Sequence, residues 1–101
     1  MYEVIYMKAD YEPWCLFEGW EESVISRESF EAEEEAKQSL ARILTDFRAK
    51  YNNEATKSGA FWAFWSEDEK EYCIPCDDIL QIFHGVIFLK DGQPVENFEH
   101  P

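Results

Sequence analysis

Residues 31–51 read EAEEEAKQSLARILTDFRAKY, and this stretch decides the fold. Ala32, Ala36, Leu40, Ile43, Leu44, Phe47 and Tyr51 recur at steps of three and four, the spacing that gathers apolar side chains onto one stripe of an α-helix. Glu33, Glu34 and Glu35 occupy the first turns and Arg48 and Lys50 the last, so the charges oppose the helix dipole at both ends. Glu33 with Lys37 and Asp46 with Lys50 add acid-before-base pairs four residues apart. Ser29 is the expected cap, and Asn52-Asn53 ends the helix, with Lys57-Ser58-Gly59 completing the link to the aromatic run at Phe61.

Everything around this helix reads as strand. Upstream, Tyr2, Val4 and Tyr6 alternate with Ile5 and Met7, so a strand with both faces partly covered is expected over Tyr2–Lys8. Pro13 interrupts, a second apolar patch comes at Trp14-Cys15-Leu16-Phe17, and Ser23–Ser26 is a third extended candidate. Downstream, Phe61, Ala63 and Trp65 face one way and Trp62 and Phe64 the other along Gly59–Trp65. The charged run Ser66–Lys70 is a turn, from which Glu71–Ile74 returns as the hairpin partner. Ile79–Leu89 is strongly apolar, with Gly85 marking a bulge or bend; for Ile79–His84 a strand and a short helix capped by Asp77 both remain open. Asp91-Gly92 turns the chain between Val86–Lys90 and Pro94–Val95, and residues 97–101 form a loose tail. The order predicts a single α+β domain: an antiparallel sheet of about five or six strands with the helix packed on one face. One helix leaves the second face to be covered by something else, and an uncovered apolar patch there would favour a partner or a homodimer.

The 101 residues allow one hydrophobic core, and 22 acids against 9 bases give a formal net charge of −13. Direct binding of nucleic acid or an anionic membrane needs a basic patch, which this balance opposes. An aromatic content of 17% also excludes a disordered acidic tail. Met1–Asp10 has neither the basic flank nor the apolar run of a signal peptide, and no stretch approaches the roughly 20 apolar residues of a membrane span. Three cysteines cannot all pair within the chain, so a cytoplasmic protein with reduced thiols is expected.

Two constellations are candidates for function. From Asp10 to Glu35 ten acids face Arg27 alone, and Trp14, Phe17 and Trp20 lie among them beside Glu18, Glu21 and Glu22. Acid mixed with exposed aromatics suits docking to a basic protein surface, in the extreme as a nucleic-acid mimic; the alternative is that the acids provide solubility and the aromatics are core. The second is Cys73-Ile74-Pro75-Cys76 with His84, whose spacing can offer two thiolates and an imidazole to zinc, with Cys15, His100 or Asp77 supplying a fourth ligand. A reactive dithiol is disfavoured there, because Glu67, Asp68, Glu69, Glu71, Asp77 and Asp78 surround the pair with only Lys70 against them. No serine stands in a nucleophile-elbow context and no glycine-rich phosphate loop occurs, so no catalytic residues are assigned and a non-enzymatic binding or regulatory module is expected.

Three stretches are more distinctive than their physics requires: Tyr6-Met7-Lys8-Ala9-Asp10-Tyr11-Glu12-Pro13-Trp14, Phe61-Trp62-Ala63-Phe64-Trp65, and Cys76-Asp77-Asp78-Ile79-Leu80-Gln81-Ile82-Phe83-His84-Gly85. Through them nearly the whole chain resembles a family of short acidic proteins of unknown function from low-GC Gram-positive bacteria. The resemblance implies a bacterial cytoplasmic protein. It supplies no activity or ligand. It also implies an aromatic residue at the position of Cys15, which would make Cys15 a poor metal ligand.

Overall fold

The computed structural model describes residues 1–16, 18–75 and 77–95. The elements are β1 (Tyr2–Ala9), β2 (Val24–Phe30), α1 (Glu33–Lys50), β3 (Asn53–Lys57), β4 (Phe61–Trp65), β5 (Lys70–Cys73), β6 (Asp78–Gln81), β7 (Phe83–Lys90) and β8 (Gln93–Pro94). The fold is α+β, as its pattern predicts. Six strands form an antiparallel sheet in the order β2-β1-β7-β4-β3, with β8 beside β7, and β5–β6 is a separate two-stranded hairpin.

Helix α1 covers one face. Ala36, Leu40 and Leu44, each four residues from the last, are buried against Val4, Trp62, Phe64, Val86 and Phe88 from β1, β4 and β7. Each buried leucine contributes about 1.5–3 kcal/mol by leaving water. The expected cap at Ser29 is not used: Ser29 lies inside β2, paired with Glu3, and the chain enters the helix at Ala32 with no side-chain cap. Arg48 closes the other end by a bidentate contact to Glu54, through Nε at 2.9 Å and Nη2 at 3.0 Å. That pair ties the last turn of the helix to edge strand β3.

The second face is covered by irregular chain. The connection between β1 and β2 folds back so that Tyr11, Trp14, Leu16 and Trp20 pack on Ile5, Met7, Phe61, Ile87 and Leu89. Pro13 is fully buried at the centre of this cover. Gly85 marks no bulge: its pairings with Met7 and Ala63 are in register. It is glycine because Pro13 lies directly over it, and an added Cβ would sit 2.7 Å from the Pro13 Cβ. The sheet's irregularity falls instead in β2, where Tyr6 pairs with Ser26 and Met7 with Val24, leaving Ile25 as the unpaired, exposed bulge residue.

Three further expectations change. Asn53–Lys57, read as a link, is strand β3, joined to β4 by the three-residue turn Ser58-Gly59-Ala60, in which Ser58 (φ 57°) and Gly59 (φ 68°) are both left-handed. Glu71–Ile74 does not return to β4, whose neighbours are β3 and β7; β5 pairs with β6. The open choice over Ile79–His84 resolves as two strands, β6 and β7, broken at Ile82. Asp91 and Gly92 form the expected turn, both at positive φ, before β8. The expected loose tail, residues 97–101, lies outside the described residues.

Candidate functional site

The β5–β6 hairpin stands outside the main sheet, and an isolated two-stranded hairpin is marginal in water. Its base is fixed by Gln81, whose Nε2 donates to the carbonyls of Ser66 at 2.9 Å and Glu69 at 2.8 Å. The Ile82 N–H donates to the Glu69 carbonyl at 3.1 Å, and the Ile82 side chain is buried. At the tip the Tyr72 hydroxyl donates to the Asp77 carboxylate, which raises the Tyr72 phenol above its ordinary value. Asp77 itself is left-handed (φ 50°), as a tight turn demands, with its N–H bonded to the Ile74 carbonyl.

This tip carries the apolar surface that the sequence places elsewhere. Ile74 is 81% exposed, Ile79 61% and Tyr72 56%. Among the described residues the other large exposed apolar side chains are Met1 and the bulge residue Ile25. Glu71, Asp77 and Asp78 are exposed on the hairpin itself, and Glu67 and Asp68 are exposed in the turn at its base.

The first predicted constellation has a different character. Glu18, Glu21 and Glu22 are exposed, but Trp14 and Trp20 are half-buried and face Ile5 and Met7 across the second sheet face. Phe17 lies outside the described residues. The acids therefore point into water, while each described tryptophan packs one part of its ring on the sheet and leaves another exposed.

Of the second constellation, Cys73 and His84 lie among the described residues. Cys73 is disulfide-bonded, so it is no thiolate ligand in this state and the expectation of reduced thiols fails at this position, while Cys15 is a free thiol. Cys76 and His100 lie outside the described residues. Among the described residues no group of three or more His, Cys, Asp or Glu side chains is placed to hold a metal ion.

His84, 4% exposed, sits instead in a hydrogen-bonded relay on the helix-side face. Its Nε2 is 2.7 Å from Glu69 Oε1 and its Nδ1 2.7 Å from the Tyr6 hydroxyl. In the neutral ring this fixes one tautomer: Nε2–H donates to the carboxylate and Nδ1 accepts from Tyr6. Tyr51 stacks on the imidazole with ring centroids 4.2 Å apart, and Phe47 meets Tyr6 edge-on at 5.0 Å. Burial, followed by the Tyr51 and Glu69 neighbours, pushes the Tyr6 phenol up to about 12. Beside the relay, a cavity of about 450 Å³ opens between the end of α1, β1 and the chain leading into the hairpin, lined by Lys8, Lys50 and Ser66 as well. Sequence reasoning singled out His84 but missed Tyr6, Tyr51 and Glu69. Tyr6 and His84 are 78 residues apart, and no local pattern joins them.

The chain belongs to a family of proteins of unknown function, DUF1033, which matches residues 1–100. No curated protein and no solved structure matches it. No helix among the described residues is long and apolar enough to cross a membrane.

Proposed function

We propose that this protein is a non-enzymatic binding module that docks a basic protein surface through the β5–β6 hairpin. The observation that carries the reading is the exposure of Tyr72, Ile74 and Ile79 together on a hairpin rimmed by acids. Apolar anchors within a field of one sign suit a partner with an apolar pocket in a basic surround: charge speeds encounter and the anchors hold the complex. The net charge of −13 argues against a second copy of the chain as the occupant, since like charges would face each other across the interface. Glu18, Glu21 and Glu22 are also exposed and add to the negative charge of the surface. A nucleic-acid mimic is the special case in which the basic partner is itself a DNA- or RNA-binding protein.

The non-enzymatic reading is supported by the relay, where both His84 ring nitrogens are committed and Tyr6 stays protonated at neutral pH. Bacterial cytoplasm is the proposed location. The odd cysteine number and the free Cys15 support it; the Cys73 disulfide pulls the other way and would be reduced there.

The test is a photo-crosslinking residue placed at Ile74 or, as control, at the helix position Gln38, in living cells. The expected result is a discrete, salt-sensitive adduct with a basic protein from Ile74 alone, lost when Glu71 and Asp78 are both changed to Lys. Adducts of equal yield from both positions, or a chain–chain adduct at Ile74, would reject the proposal.

A further inference from the structure

We propose that the cavity beside His84 is a binding site for a small dianion bearing a phosphate group, held by Lys8, Lys50 and the Ser66 hydroxyl. It is independent of the docking surface. Lys8 lies on β1 directly opposite His84 on β7, and Lys50 reaches the same space from the last turn of α1. Three of the nine basic side chains are neutralised by ion pairs, Arg27 with Glu3, Lys37 with Glu33 and Arg48 with Glu54. Lys8 and Lys50, like Arg42, Lys57, Lys70 and Lys90, form no ion pair among the described residues, and these two are distinguished by lining the same cavity, Lys50 with its ammonium over the Tyr51 ring. Two unneutralised ammonium groups therefore converge on one concave space, the arrangement that focuses an anion.

The chemistry of the lining narrows the ligand. Lysine ammoniums are compact point charges that suit a tetrahedral oxyanion, whereas the planar arginine fork that pairs with a carboxylate in bidentate fashion does not line this cavity. Ser66 lines the cavity, and since its carbonyl is taken by Gln81 the hydroxyl is the group it has to offer a ligand. The floor is rigid and already satisfied, since His84 is held from both sides by Glu69 and Tyr6 and stacked by Tyr51. At about 450 Å³ the space exceeds what a phosphate ion fills and falls in the range of small-molecule sites, leaving room for an ester substituent.

Two features oppose an anion: the Glu69 carboxylate, which lines the cavity, and the negative end of the α1 dipole. The dipole is met by Lys50 and Arg48 in the same turn, and one Glu69 oxygen is occupied by His84. The residual repulsion makes the proposal sharply testable, because Glu69→Gln keeps an acceptor for His84 and removes the charge.

The experiment is an amide NMR titration of the full chain at constant ionic strength, with inorganic phosphate and with phenyl phosphate as probes. Saturable shifts are expected at Tyr6, Lys8, Tyr51, Ser66 and His84. Tighter binding of phenyl phosphate assigns an ester as the ligand and equal binding the free ion; either sustains the site. Because a hydrogen bond to a charged group is worth ~1.5–3 kcal/mol, Lys8→Met and Lys50→Met should each weaken binding about tenfold or more. Lys37→Met, which removes a half-buried cation paired with Glu33 and outside the cavity, should change nothing, and Glu69→Gln should tighten binding. Both lysines are exposed, so unchanged thermal unfolding is expected and separates lost binding from lost structure. Non-saturable shifts, wild-type affinity in both lysine variants, or weaker binding by Glu69→Gln would overturn the proposal.

Discussion

The two faces of the main sheet solve the same problem by different means. On one, α1 lays Ala36, Leu40 and Leu44 onto Val4, Trp62, Phe64, Val86 and Phe88. On the other, a non-repeating stretch brings Tyr11, Trp14, Leu16 and Trp20 onto Ile5, Met7, Phe61, Ile87 and Leu89, with Pro13 wedged over Gly85. The helix satisfies its own backbone and buries small and medium side chains completely. The irregular cover relies on large aromatics that stay half-exposed, and on a close approach of backbone to proline ring. The first arrangement tolerates surface change around a deep core. The second concentrates its stability in a few contacts.

Substitutions on each face put that contrast to the test. The largest effect is expected from Leu44→Ala, which opens a cavity under the helix; about 3 kcal/mol should be lost, seen as a lower urea midpoint with unchanged slope. Next is Gly85→Ala, which adds one methyl group against Pro13 and should cost about 2 kcal/mol by overpacking. Wild-type stability in that variant would show that the cover between β1 and β2 is loose. Trp14→Ala, removing a half-buried side chain, should cost about 1–2 kcal/mol, less than burial in the other core would imply. Near-zero loss would make the tryptophan a surface feature after all.

A smaller effect is confined to alkaline solution. Tyr6 has its folded value raised to about 12 from an ordinary 10, so its contribution is intact below pH 10 and is lost as pH rises toward 12. Urea midpoints for wild type should therefore fall above pH 10, and Tyr6→Phe should flatten that fall. Smallest of all is Ile74→Ser on the hairpin tip, expected within about 0.5 kcal/mol of wild type, because an 81%-exposed side chain supports neither face.

The contrast also separates what was legible in the sequence from what was not. The helix, β1, β4 and the β7–β8 turn announce themselves through period 3.6, period two and an Asp-Gly pair. The cover on the second face has no period, so Trp14 and Trp20 read equally as core or as surface. Strand β3, Asn-Glu-Ala-Thr-Lys, was missed because an edge strand with polar side chains lacks the apolar alternation that marks a strand. Pairing β5 with β4 rested on nearness in sequence, which Gln81 and the Ser66–Lys70 turn override by directing the hairpin away from the sheet. Of the candidate site residues, His84 was visible as a residue type, while its partners Tyr6, Tyr51 and Glu69 depend on which strands become neighbours. The exposed anchors Tyr72, Ile74 and Ile79 were visible as apolar residues, with no local sign that they would point into water.

The placement of β1 between β2 and β7 has a consequence for how the molecule is made. Its hairpin with β2 is a local event, but its other edge must wait for a strand some 78 residues downstream, as the Tyr6–His84 contact measures. Closing so long a loop is paid in entropy before any contact rewards it, and such topologies fold slowly. During synthesis from the ribosome, β1, β2 and α1 emerge early with the β7 edge of β1 unpaired. The order of translation thus leaves the nascent chain dependent on its last long strand, and a ribosome stalled before Phe83 would hold a chain whose two strand pairs, β2-β1 and β4-β3, have nothing to join them.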